Sequence, residues 1–77
     1  MNIEDRTIST VARGKRVGVN RGGKAIGYAV RIPKVGTWTA YVYTTEAPFD
    51  YARPGFTSDA AAVAFIATHG QTPEHMR

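Results

Sequence analysis

Apolar residues in this chain recur mostly at every second position, the period of a strand whose alternate side chains meet a core. Val17 and Val19 mark one such segment, Arg16 to Asn20. Ile26, Tyr28, Val30 and Ile32 alternate with Ala25, Gly27, Ala29 and Arg31, which predicts a strand with one apolar face. From Thr37 to Thr45 the alternation is strongest: Trp38, Ala40 and Val42 point one way, and Thr37, Thr39, Tyr41, Tyr43 and Thr45 the other. Thr7 to Val11 is β-prone and predicts a short strand ahead of these. Phe49 and Tyr51 alternate with Asp50 and Ala52, which predicts another short strand ending before Arg53-Pro54-Gly55.

Between these segments stand turn signals. Arg13-Gly14-Lys15-Arg16, Asn20-Arg21-Gly22-Gly23 and Pro33-Lys34-Val35-Gly36 each predict a hairpin turn, with Gly22 or Gly23 at positive φ. Glu46-Ala47-Pro48 breaks the strongest strand. The period then changes. Thr57 or Ser58 can cap a helix, Asp59 complements its dipole, and Ala60 to Ala64 are strong helix formers. Ala62, Phe65, Ile66 and His69 form one stripe, which Gly70 and Pro73 terminate.

Strands followed by one helix predict an α+β domain. Its small antiparallel sheet has three to four strands, and a C-terminal helix packs on one face. One domain is expected over 1–77, with 1–6 and 71–77 as mobile tails. Trp38, Val42, Phe56, Ala62, Phe65 and Ile66 are the expected contacts between helix and sheet.

At 77 residues the core is thin, because a chain this short buries only roughly 60–65% of its unfolded surface. The chain has no cysteine, so disulfides, cysteine-ligated zinc and iron–sulfur clusters are excluded. A small domain without such staples fits a reducing cytoplasm. The N-terminus carries Glu4 and Asp5 and has no apolar region resembling a signal peptide. No apolar run approaches the roughly 20 residues of a membrane span, so no membrane partner is expected.

Charge changes the picture more. Between Arg6 and Thr45 lie eight cations and no Asp or Glu: Arg6, Arg13, Lys15, Arg16, Arg21, Lys24, Arg31 and Lys34. From Glu46 onward there are four acids and two bases. A one-signed stretch attracts polyanions or acidic protein surfaces.

Nothing in the residues assembles an active site. His69 falls in the last helical turn, where a cation is favoured, and no Cys or Ser motif accompanies it. Glu74 with His75 supplies too few ligands for a metal. Glu46, Asp50 and Asp59 show no general acid/base spacing. Arg21-Gly22-Gly23-Lys24 lacks phosphate-loop spacing and opens no helix. No catalytic residue, cofactor, metal or small-molecule substrate is therefore expected.

The sheet surface carries the binding chemistry. If the helix covers the Trp38 side, Arg31, Thr39, Tyr41 and Tyr43 are expected to share the uncovered face, suited to DNA or exposed bases. Arg13, Lys15, Arg16, Arg21 and Lys24, carried on turns, would supply phosphate contacts.

Trp38-Thr39-Ala40-Tyr41-Val42-Tyr43, then Gly55-Phe56-Thr57-Ser58, then Ala62 and Phe65, resembles the arm-type and AP2-like DNA-binding domains of tyrosine integrases. The likeness spans residues 24–69 and implies a three-stranded sheet followed by one helix, with the sheet reading DNA through Arg31, Thr39, Tyr41 and Tyr43. The acidic, proline-broken segment Glu46 to Arg53 departs from the tight turn usual there. The resemblance implies a DNA-binding or architectural protein of phage or mobile-element type. The competing expectation is a modulator that inhibits or redirects another protein through an edge strand or exposed aromatic face.

Overall fold

A computed structural model of the chain describes residues 8–73. Five strands, β1 (Ile8–Arg13), β2 (Arg16–Arg21), β3 (Lys24–Ile32), β4 (Thr37–Tyr43) and β5 (Asp50–Phe56), form one antiparallel sheet in the order β1-β2-β3-β4-β5. One helix, α1 (Asp59–His69), follows and packs across β2, β3, β4 and β5 on a single face. The α+β architecture is as the pattern predicts, with five strands in place of three to four.

The expected short strands at Thr7 to Val11 and Phe49 to Ala52 both form and both run further than expected, as β1 and β5. Apart from half-buried Ile8, β1 is exposed throughout. It is fixed by a two-residue turn pairing Arg13 with Arg16, and Gly14 there takes φ +61°. β5 continues through Arg53-Pro54-Gly55, which the sequence reads as its end. On β4 Trp38 and Ala40 are two residues apart, yet their partners Phe56 and Arg53 are three apart. The resulting bulge lies on an outer strand, where a proline costs no ladder bond, and Gly55 takes φ +92° within it.

Alternation places Val17, Val19, Ala29, Ala40 and Val42 beneath the helix, where they join Ile26, Ala62 and Ile66 in one buried cluster. Trp38, Phe56 and Phe65 are half-buried around its rim, and the Phe56 and Phe65 rings lie 5.4 Å apart. The helix begins as predicted: the Ser58 hydroxyl accepts from the Ala61 N–H at 3.1 Å. Gly22 and Gly23 both have positive φ, +60° and +80°, which matches the right-handed twist of the flanking strands.

One irregularity sets the phase of β3. Val19 pairs with Gly27 and Asn20 with Ala25, so Ile26 is an extra residue. Ile26 and Gly27 therefore both turn toward the helix, and both are buried. Beyond the bulge Ala29 and Arg31 stay on the helix side. Tyr28, Val30 and Ile32 are turned to the other face, opposite to the expected assignment. A side chain at Gly27 would place its Cβ 2.7 Å from Ile66 Cγ2 and into the Tyr41 carbonyl oxygen.

The segment after the helix also differs from expectation. Gly70 ends α1 without a left-handed turn, at φ −72°. Its missing side chain permits close approach, since a Cβ there would lie 2.5 Å from the Ile26 carbonyl oxygen. The expected mobile tail begins too early, because Gln71 to Pro73 are tied to the sheet. The Gln71 N–H donates to Tyr43 at 2.9 Å, Thr72 Oγ1 donates to Ala25 at 3.1 Å, and Pro73 is buried. The expected tails 1–6 and 74–77 lie outside the described residues.

Ile66 is fully buried at the helix–sheet contact. Ile66→Ala should therefore cost about 2–5 kcal/mol, read as a lower urea midpoint at unchanged slope. An unchanged midpoint would refute the placement of α1.

Candidate nucleic-acid interface

Cross-strand partners share a face, so the pairing defines what the side opposite α1 displays. Arg13 and Arg16 pair with each other, and Arg16 pairs with Val30, which pairs with Thr39. In the next row of this face Val11, Gly18, Tyr28, Tyr41 and Ala52 stand side by side. Tyr43 and Asp50 follow at the far end. No described element covers this surface.

Tyr28 and Tyr41 are stacked, with ring centroids 4.8 Å apart and planes at 14°. That distance equals the spacing of neighbouring strands, so the two rings stand upright and parallel on the sheet. The Arg16 guanidinium carbon lies 4.0 Å from the Tyr28 ring centre. Tyr41 already occupies one side of Tyr28, so the guanidinium takes the other. Tyr43 meets Tyr28 edge-on at 6.0 Å. Such contacts hold the side chains with about 0.5–1.5 kcal/mol each beyond simple burial. Ring faces are used within the row, and all three tyrosines are half-buried.

The meander decides where the other cations fall. The β1–β2 and β3–β4 turns lie at one end of the sheet, where the Arg31 N–H donates to the Lys15 carbonyl at 2.8 Å. Arg13, Lys15, Arg16, Arg31 and Lys34 gather at that end, and none has a carboxylate partner among the described residues. Arg13, Lys15 and Arg16 are exposed.

The remaining candidates are placed differently. Arg31 pairs with Trp38 and so lies on the helix side of the sheet, not with Tyr41 and Tyr43. The bulge at Ile26–Gly27 is the cause. Arg21 is not a free turn cation: its guanidinium crosses to the end of α1 and donates to the Ala67 carbonyl and, at 3.4 Å, to that of Gly70. It satisfies helix-terminal carbonyls that would otherwise lack partners. Lys24 lies at the opposite end, beside a depression shared with Arg21, Ile26, Thr45, Gln71 and Thr72. Thr39 is on the uncovered face but only 8% exposed, so it forms floor beneath its neighbours. Tyr28 and Lys34 were missed. The pairing need of two tyrosines on β4 was the signal for Tyr28, since an aromatic opposite them completes the row.

His69 is exposed at the helix end, with its ring centroid 4.4 Å from that of Phe65. Glu74 and His75 lie outside the described residues. No helix is long and apolar enough to cross a membrane among the described residues. Comparison with protein-family models, curated proteins and solved structures finds no match for this chain.

Burial pushes the Tyr43 phenol above its ordinary value of 10.0; Tyr28 and Asp50 add to the rise and Arg16 opposes it. The unfolded chain releases this proton near 10.0, while the folded protein holds it to higher pH. The contribution is complete below that value and is lost as pH climbs through the folded value. Urea stability of the wild type should therefore fall more steeply above pH about 10 than that of Tyr43→Phe. Parallel curves for the two proteins would contradict it.

Proposed function

We propose that this chain is a small DNA-binding domain that lays its uncovered sheet face against duplex DNA. The observation that carries the reading is the row Arg16–Tyr28–Tyr41, fixed by stacking on a face that no described element covers. Arg13 and Lys15 beside it, and Lys34 in the β3–β4 turn at the same end, add positive charge with no carboxylate partner among the described residues.

The orientation of the rings argues for duplex over single strand. A single-stranded platform stacks bases on open ring faces. Here both sides of Tyr28 are taken, and Tyr41 has one side left. The chemistry left to the row is that of phenol hydroxyls and a guanidinium, which bond to phosphate, sugar or base edges. A sheet entering a groove is an established docking geometry. The resemblance to integrase arm-type domains points the same way, with Tyr28 and Arg16 in the role expected of Arg31. Phosphate contacts of this kind position the protein without reading sequence. Phage or mobile-element origin and a cytoplasmic setting belong to the same proposal.

One observation favours the protein-partner reading. β1 is an outer strand without proline, bulge or acid, whereas β5 at the other edge carries Pro54 and a bulge. An unprotected edge accepts a strand from a partner, with an acidic surface suiting the basic end. The strand pairing in such a complex is main-chain hydrogen bonding, so its binding would survive salt better than phosphate contacts do.

Binding of labelled random duplex should weaken steeply from low to physiological salt as counterions are released. Neutralising Lys15 and Arg16 together should weaken all sequences alike and flatten the salt slope by about two. A folded sample that binds no duplex at low salt would overturn the reading in favour of a protein partner.

A further inference from the structure

Arg13 and Arg16 close the first hairpin as direct cross-strand partners on the uncovered face. Like charges directly opposite one another destabilise a sheet, and no described carboxylate relieves either. The Arg16 guanidinium lies over the Tyr28 ring at 4.0 Å, toward β3, which sets it to one side of Arg13. Two cations on facing positions with no described carboxylate make this end of the hairpin attractive to an anion.

Next to the pair the surface has a gap. Gly18 stands between Val11 on β1 and Tyr28 on β3. Together Val11, Arg13, Arg16 and Gly18 line a depression of about 400 Å³. Nothing in the backbone demands glycine here: Gly18 is not among the positive-φ residues. An added Cβ would meet only the Val11 carbonyl oxygen, at 3.8 Å. Glycine inside a strand lowers its stability; here its missing side chain leaves room for the Arg16 guanidinium beside Tyr28 and for the depression toward Val11.

We propose that Arg13, Arg16 and the space over Gly18 form a seat for one phosphate, supplied by a nucleic-acid backbone. Two guanidinium groups flanking a recess match the oxygens of a phosphodiester with parallel, charge-assisted bonds. Val11, 46% exposed, forms the apolar wall that the adjoining sugar meets. The seat rests on the DNA reading above for the source of its phosphate, and it adds a fixed registration point to an otherwise diffuse basic end.

Gly18→Val tests this without altering any charge, with Gly18→Ala as the smaller variant should the valine disturb the strand. Inorganic phosphate, titrated into labelled wild type, should shift the Gly18 amide and the Arg13 and Arg16 side-chain signals. Gly18→Val should lose those shifts and bind a short random duplex about tenfold more weakly, as should Arg13→Gln. If wild type and both Gly18 variants bind duplex equally, the seat is overturned and the DNA reading survives. If phosphate shifts these signals but duplex does not bind, the backbone source is overturned and the seat holds free phosphate. If phosphate moves none of these signals while Arg13→Gln and Gly18→Val bind duplex as wild type does, the seat is overturned outright.

Discussion

Helix α1 rests on the sheet where strand β3 has no side chain to hold it away. Ile66 is fully buried in the space a Cβ at Gly27 would occupy, 2.7 Å from its Cγ2. Gly70 repeats the device one helical turn on, where its bare backbone lies against the carbonyl of the neighbouring Ile26. A thin core of valines, alanines and isoleucines can be closed by one helix only if that helix comes this near. The Ile26–Gly27 bulge creates the close approach by turning two successive residues toward the helix.

The same bulge determines what is left outside. Past it, every even-numbered residue of β3 faces away from α1, and Tyr28 falls beside Tyr41 on that side. A sheet with one covered face must make its other face stable without a second layer. Here the tyrosines shield one another, with Arg16 closing the row. Arg21 serves the covered side, as a clamp on the helix end. Cations of one sequence stretch thus divide into a structural member and an exposed group. Among the described residues, Arg13, Lys15, Arg16, Arg31 and Lys34 are exposed at one end of the sheet and Lys24 at the other. Fold and charge map have a common origin in the register of β3.

Much of this was legible in the residues. Alternation in β4 correctly separated Trp38, Ala40 and Val42 from the threonines and tyrosines, because both neighbours of that strand are paired and its pattern is regular. The Ser58 cap and the glycine turn at Gly22–Gly23 follow from local chemistry alone. The face of Arg31 was not legible. A period-2 pattern read through Ile26, Tyr28, Val30 and Ile32 looks continuous, and a bulge breaks phase without breaking the pattern. Nor was the length of β5, since Pro54 reads as a stop until the strand is known to be an edge. Arg21 was misassigned because its partners, Ala67 and Gly70, are more than forty residues away in sequence.

On the proposed function, the surface that meets DNA is the face turned away from α1. Backbone amide shifts of the labelled protein, followed as duplex DNA is added at low salt, address it most directly. The account predicts changes at Arg13, Arg16, Gly18, Tyr28, Tyr41 and Tyr43, with Arg31, Ala62 and Ile66 left in place. Changes concentrated on α1 and Arg31, with the tyrosine row unmoved, would contradict it.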